Sequence, residues 1–212
     1  METKERVRIN TAIISVYDKT GIRHFASELV KINPKIRIIS SGGTFREIEN
    51  ADPENSVEVS KYTGFPEMPS GLVKTLHPKI HGGILGNEPE DSFMKSQGIE
   101  RIDLVVVNLY PFKKASSEKG STAESARTNI DIGGVSLIEA GCKNFLRVAV
   151  ITEPLDYEKT LDMLRRNNGC TDLETRLELC KKGFEKLSRY LTDISDYFSK
   201  LNAEGIREKQ GG

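Results

Sequence analysis

The chain has 212 residues, with 31 basic and 31 acidic side chains and a formal net charge of zero. That balance excludes a general polyanion binder while leaving room for a local phosphate pocket, and no apolar run is long enough to span a bilayer. The length suits one domain, taken as residues 1–202, with enough chain to bury a sizeable core.

In chain order, Ile9 to Val16 ends in Ile-Ile-Ser-Val and reads as a strand. Gly21 to Val30 reads as a helix, with Ile22, Phe25, Ala26 and Leu29 on one face. Ile36 to Ser40 is the next predicted strand, Thr44 to Asn50 a short helix after a glycine turn, and Val57 to Val59 a brief strand. Leu72 to Gly83 is polar and punctuated by Gly and Pro, so it reads as a loop. That loop concentrates Lys74, Thr75, Lys79, His77 and His81, a composition that packing alone rarely selects. Asp103 to Leu109 holds Leu-Val-Val-Val and is the clearest buried strand. Ala123 to Thr128 and Val135 to Cys142 read as helices, and Arg147 to Thr152 as a strand. Strands separated by helices imply βαβ units and a right-handed parallel sheet, an α/β core over about 8–152. From Asp156 onward the pattern is entirely helical, an extension over about 156–202 packed on the sheet. Tyr157 to Arg166 is one helix, and Leu173 to Leu201 is a longer one that Gly183 is expected to weaken. The polar stretch 203–212 is expected to be a disordered tail.

Met1 to Arg8 is charged and has no apolar h-region, so a secretory signal is not expected. Cys142, Cys170 and Cys180 are odd in number and follow no ligand spacing, which reads as free thiols in a reducing cytoplasm. Lys143 beside Cys142 would lower that thiol's pKa, but no histidine lies nearby in sequence, and an inert thiol is the favoured reading.

Ligands of open parallel sheets bind beyond the carboxyl ends of the strands. Polar segments fall at such places: Ser15 to Gly21, Ser40 to Thr44, Asn108 to Phe112, and Asp131 to Ser136. Small residues and backbone N–H groups where a helix begins make anion sites. Singly, each segment is more often a turn with a helix cap. None matches a Walker loop or the Gly-x-Gly-x-x-Gly fingerprint, so ATP and NAD are not supported. His77 and His81 lack a companion ligand cluster, and a structural role is favoured over a metal. Jointly the segments place Lys19, Lys74, Lys143, Tyr110 and Asp131 at one edge, an anion pocket with groups able to move protons.

A further set of motifs runs in order along nearly the whole chain: Asp18-Lys19-Thr20-Gly21, Ser41-Gly42-Gly43-Thr44, Tyr62 to Met68, Val73 to Pro78, Asn108 to Phe112, Ile130 to Gly134, Lys143-Asn144, and Ser195 to Phe198. This set resembles the inosine monophosphate (IMP) cyclohydrolase family, which forms the N-terminal part of bifunctional purine-biosynthesis proteins. The resemblance implies a three-layer parallel sheet of the methylglyoxal-synthase-like (Rossmann-like) kind with added helices. It implies dehydrative closure of 5-formamidoimidazole-4-carboxamide ribotide to IMP, with no metal and no cofactor. It implies that Lys143 is the main proton donor and acceptor, completed by Lys74, Tyr110 and Asp131. The substrate phosphate would lie against Lys19, Thr20, Ser41, Gly42, Gly43, Thr44 and Thr75. Asn108 would meet the base or ribose, and the N–H groups of Ile132 and Gly133 a developing oxyanion. Tyr17, Asp18, Leu72, Val73 and Val107 complete the implied substrate-binding set. The implied partners are the nucleotide substrate and product, a homodimer and a separate formylating enzyme, with neither nucleic acid nor membrane. A stand-alone cyclohydrolase is expected, because the folate-dependent domain of the bifunctional proteins would begin beyond residue 212.

The chain departs from the family pattern in three places. Tyr17 stands where a second serine is usual, Leu72 where an arginine is usual, and Glu139-Ala140-Gly141-Cys142 where Arg-Ala-Ala-Ala is usual. Leucine offers none of the planar, two-pronged donation that arginine gives a phosphate, so Lys61 or Arg127 would have to compensate. The competing readings are methylglyoxal synthase on the shared fold and a nucleotide-binding module that has lost its chemistry.

Overall fold

The computed structural model describes residues 5–50, 54–68, 71–118, 120–203 and 206. The chain runs β1 (Arg6–Arg8), β2 (Thr11–Val16), α1 (Ile22–Ile32), β3 (Arg37–Ser40), α2 (Gly42–Glu49), β4 (Ser56–Glu58), α3 (Val59–Thr63), α4 (Pro78–Leu85), α5 (Asp91–Ser96), β5 (Leu104–Asn108), α6 (Phe112–Ser117), α7 (Ala123–Thr128), α8 (Ile132–Lys143), β6 (Ala149–Ile151), α9 (Tyr157–Arg166), β7 (Cys170–Asp172) and α10 (Leu173–Phe198).

Five strands form one parallel sheet in the order β4-β3-β2-β5-β6. β5 is buried along its whole length, which is why its sequence is an unbroken apolar run rather than an alternation. The alternation is still there in space. Leu104 and Val106 join Ile14, Phe25, Leu29 and Leu161 on one face, against α1 and α9. Val105 and Val107 join Ile80, Ile138, Cys180 and Tyr190 on the other, against α4, α8 and α10. Each such side chain taken from water contributes about 1.5–3 kcal/mol, so both faces hold the helices firmly. The result is the three-layer α/β fold, and α10 is part of its core rather than a loose appendage.

Several elements differ from the sequence expectation. α2 and α8 begin at Gly42 and Ile132, so the glycines form the first helical turns instead of preceding them. The second half of the expected loop at Leu72–Gly83 is helix: Pro78 occupies the first turn of α4, and the His77 ring accepts from the Lys79 N–H at 3.1 Å. The C-terminal part is not wholly helical, because β7 pairs antiparallel with β1. α10 runs unbroken through Gly183, where a Cβ would stand 2.5 Å from Cys142 Sγ; the glycine is a close approach between helices, not a weak point. The tail expected to be disordered lies outside the described residues, apart from Ala203 and Ile206. Among the described residues, no helix is long and apolar enough to cross a membrane.

Candidate active site

A cavity of about 390 Å³ opens at the carboxyl edge of the sheet. Its walls are the segments after β2, β3 and β5, the first turn of α8, and the stretch from Gly71 to Leu76. Of the predicted residues, Tyr17, Lys19, Ser41, Gly42, Gly43, Thr44, Leu72, Lys74, Thr75, Asn108, Tyr110, Asp131, Ile132 and Gly133 line it.

One end is a cationic cradle at the start of α2. The first-turn N–H groups of a helix have no intrahelical acceptor, and its dipole favours an anion there. Lys19 and Lys74 flank that turn: a Cβ on Gly43 would stand 3.2 Å from Lys19 Cε, and one on Gly42 would stand 3.0 Å from Lys74 Nζ. Thr44 joins α2 to β2 by exchanging hydrogen bonds with the N–H and carbonyl of Val16, at 3.1 and 3.0 Å.

The other end is built on Asp131, the N-cap of α8, whose carboxylate accepts from the Gly134 N–H at 2.7 Å. Burial raises the Asp131 pKa above the ordinary carboxylate value, opposed by the N–H groups of Gly134 and Tyr110. The Tyr190 hydroxyl on α10 accepts from the Asp131 N–H at 2.8 Å and fixes this corner. Sequence reasoning missed Tyr190, because nothing in the helical spacing of α10 says which residue lies behind α8. Thr75 Oγ1 would be 3.0 Å from a Cβ on Gly133, so the Lys74–Thr75 bend packs closely on the start of α8, where glycine leaves it room. Tyr110 is half exposed, and its ring lies 4.9 Å from that of Tyr17 at the mouth.

Other predicted residues play supporting parts. Asn108 Oδ1 accepts from the N–H groups of Tyr17 and Asp18, at 2.7 and 2.8 Å, and its amide donates to the Asp18 carbonyl at 2.9 Å. It shapes the Tyr17–Asp18 turn at the cavity wall. Asp18 accepts from the Thr20 N–H at 2.9 Å, and its hydrogen bonds with Thr20 hold its pKa below the usual value. Asp18 and Thr20 thus close the turn that orients Lys19 without lining the cavity. Val107 is sheet core, and Val73 faces a neighbouring chamber.

Lys143 is not brought to this pocket. It ends α8, whereas Asp131 caps its start, a separation of about 18 Å at roughly 1.5 Å per residue. It lines a shallow groove with His77, His81 and Glu139 instead. Lys61 and Arg127 do not line the cavity either, and Arg127 is paired with Glu124 at 2.7 Å. Leu72 is 73 % exposed at the rim. The thiols of Cys142, Cys170 and Cys180 are free, and burial pushes the pKa of Cys142 up, which disfavours its thiolate despite Lys143. His77 caps α4, and burial lowers the pKa of His81. Among the described residues, no three His, Cys, Asp or Glu side chains are grouped to hold a metal ion.

Comparison with known proteins agrees with this architecture. Residues 21–136 match the MGS-like domain family, and residues 141–211 match the AICARFT/IMPCHase bienzyme family. The chain is 42% identical over 201 residues to the bifunctional purine biosynthesis protein PurH of Magnetococcus marinus. It is 43% identical over 207 residues to PurH of Chlorobium phaeobacteroides. These matches cover 93% and 96% of the chain but only 37% and 39% of those relatives. The crystal structure of ForH superposes with a TM-score of 0.76 at 30% identity, covering 90% of this chain and 99% of that one. With its five parallel strands, its cavity at their carboxyl edge and these matches along its length, the chain belongs to the MGS-like domain family and carries the segment shared with the AICARFT/IMPCHase bienzymes.

Proposed function

We propose that the chain is an IMP cyclohydrolase, a hydrolase acting on cyclic amidines, which closes 5-formamidoimidazole-4-carboxamide ribotide to IMP with loss of water. The observation that carries this reading is one cavity with a cationic helix start at one end and a half-buried, N–H-fed carboxylate at the other. The nucleotide's phosphate sits on the first turn of α2 between Lys19 and Lys74. The heterocycle extends past Tyr17 and Tyr110 towards Asp131. The carboxamide nitrogen attacks the formyl carbon, forming the new C–N bond while the carbonyl becomes an oxyanion. The free N–H groups at the start of α8, those of Ile132 and Gly133, stabilise that charge. Asp131 takes the proton from the attacking nitrogen. That proton passes to the oxyanion and makes it a hydroxyl; Tyr110 then protonates the hydroxyl, the C–O bond breaks and water leaves, and the former formamido nitrogen gives its N–H proton to the tyrosinate as the C=N bond forms. The three thiols suit a reducing cytoplasm.

Cyclisation of the formylated ribotide, followed by ultraviolet absorbance without folate or metal, tests the proposal. Acceleration over the spontaneous rate supports it. IMP binding with no acceleration supports a binding module instead, and phosphate release from dihydroxyacetone phosphate supports methylglyoxal synthase.

Lys143 enters this reading only through a second copy. A homodimer that sets α8 against its partner's α8 in antiparallel fashion brings the end of one helix to the start of the other. Lys143→Ala is then expected to lose at least a hundredfold in turnover, and mixing it with Asp131→Asn chains is expected to restore part of the rate. Full activity of Lys143→Ala removes the residue from the chemistry; loss without complementation removes the second copy.

Leu72→Arg supplies the missing fork at the rim. It is expected to tighten IMP binding by about 1.5–3 kcal/mol, the worth of a hydrogen bond to a charged group. Calorimetry that finds no change shows that the phosphate lies out of reach of residue 72.

A further inference from the structure

The two cavity lysines are held differently. Lys19 Nζ donates to the Tyr17 carbonyl at 3.3 Å, whereas Lys74 Nζ faces a carboxylate, Glu67 Oε2 at 3.2 Å. Lys74 reaches its place between Gly42 and Gly71, where φ is +54° and +67°. A Cβ on these residues would stand 3.0 Å from Nζ and 2.9 Å from Cε, so the glycines define the ammonium's path to the cradle. Glu67 belongs to the wall of a second chamber of about 260 Å³, lined by Val59, Phe65, Pro66, Val73 and Leu76 among others. Its side chain is 28% exposed, and among the described residues its buried Oε1 has no hydrogen-bond partner. A carboxylate oxygen withdrawn from water without a partner lowers stability. Wall packing does not require it, since glutamine has the same shape without the charge. The carboxylate therefore acts on something, and what it touches is Lys74.

We propose that Glu67 competes with bound phosphate for Lys74, holding the anion site weaker than its cradle alone would make it, so that the nucleotide product leaves readily. The claim about phosphate stands on the cavity; the identity of the nucleotide rests on the cyclohydrolase reading. Glu67 is a positioning residue, acting through the lysine rather than on the substrate.

Calorimetry on the full chain with IMP and with inorganic phosphate tests it, using Glu67→Gln, Glu67→Asp, Lys74→Met and the Glu67→Gln/Lys74→Met double variant. Glu67→Gln is expected to tighten both probes roughly two- to fivefold, the scale of one partly exposed charge pair. Glu67→Asp keeps the charge and is expected to stay nearer the parent chain than Glu67→Gln. In the Lys74→Met background, Glu67→Gln is expected to change nothing, because the carboxylate then has no lysine to withhold. Unchanged or weaker binding in Glu67→Gln overturns the proposal, as does an equal gain with and without Lys74. If Glu67→Gln tightens phosphate but the parent chain cyclises nothing, the cyclohydrolase reading fails and the competition stands. If the parent chain cyclises and Glu67→Gln tightens nothing, the competition fails alone.

Discussion

Asp131→Asn is expected to lower the rate constant for the proposed ring closure by about 10²–10⁴-fold, the range of a lost general base, while the nucleotide still binds. Asparagine is a good N-cap, so its amide oxygen can still accept from the Gly134 N–H, and α8 keeps its start. What disappears is the capacity to take a proton. The variant therefore separates the carboxylate's chemistry from its structural place, which alanine would not. Burial raises the Asp131 pKa above the ordinary carboxylate value, so the acid limb of the parent's kcat/KM profile lies above that of a solvated aspartate. Activity falls as pH drops through that limb, and the limb is absent from whatever activity Asp131→Asn retains. Stability moves the other way. The folded chain holds this proton to higher pH than the unfolded chain does. Asp131 therefore subtracts stability as pH rises from the ordinary carboxylate value through its raised one. Removing the ionisation raises Tm at neutral pH. A variant that is slower and more thermostable marks Asp131 as a strained catalytic carboxylate. One that keeps its turnover, or loses both activity and Tm, shows that the residue serves only as a cap.

Much of this site is readable from residues because its parts obey local rules. The valines of β5 announce a strand buried on both faces, and an edge of such a sheet is where ligands bind. Glycines before a helical pattern announce a helix start, and both Gly42-Gly43 and Gly133-Gly134 lie at one. What was not legible depends on distant chain. β7 is three residues long with no alternation to read, and its partner β1 lies at the other end of the sequence. Tyr190 reaches Asp131 across 59 residues. Glu67 has no signal beyond its motif, since its meaning comes from the lysine opposite. The placing of Lys143 is another matter: Asp131 and Lys143 flank a helix that the spacing already predicted, and the rise per residue alone sets them apart. A motif inventory joins residues that share a family role, whereas helix geometry asks whether they share a chain.

Arg147→Met is expected to destabilise the chain by about 3–5 kcal/mol, the cost of leaving a buried charge without its partner. Arg147 and Asp103 are 7% and 5% exposed, and Nη1 meets Oδ1 at 3.0 Å. Burial pushes Asp103 up and Arg147 down from their ordinary values, and their mutual attraction opposes both shifts. The pair survives burial because nearly every polar atom is used. Asp103 Oδ2 accepts from the N–H groups of Asn10 and Thr11, at 2.9 and 3.2 Å, where β2 begins. Arg147 donates to the carbonyls of Ile102, Gly83 and Ile84, at 3.0, 2.8 and 2.7 Å, tying the starts of β5 and β6 to the end of α4. Methionine fills the space but leaves Asp103 Oδ1 and the Ile102 carbonyl without the guanidinium, whereas the Gly83 and Ile84 carbonyls keep the Ile102 N–H and the Asn144 amide, at 2.9 and 2.7 Å. For a domain of this size the loss corresponds to a Tm lower by roughly 6–20 °C. Asp103→Asn in the Arg147→Met background removes the stranded charge and is expected to recover part of it, so the two substitutions are far from additive. Additive losses, or a cost for Arg147→Met below about 1 kcal/mol, would mean that water already reaches the pair. The pair lies at the amino edge of the sheet, opposite the cavity, so well below the new Tm the surviving Arg147→Met chains are expected to turn over at the parent rate. This edge anchors β2, β5, β6 and α4 through hydrogen bonds, which leaves the carboxyl edge free to carry the helix starts of α2 and α8 and the desolvated Asp131 to which the proposed chemistry assigns the proton.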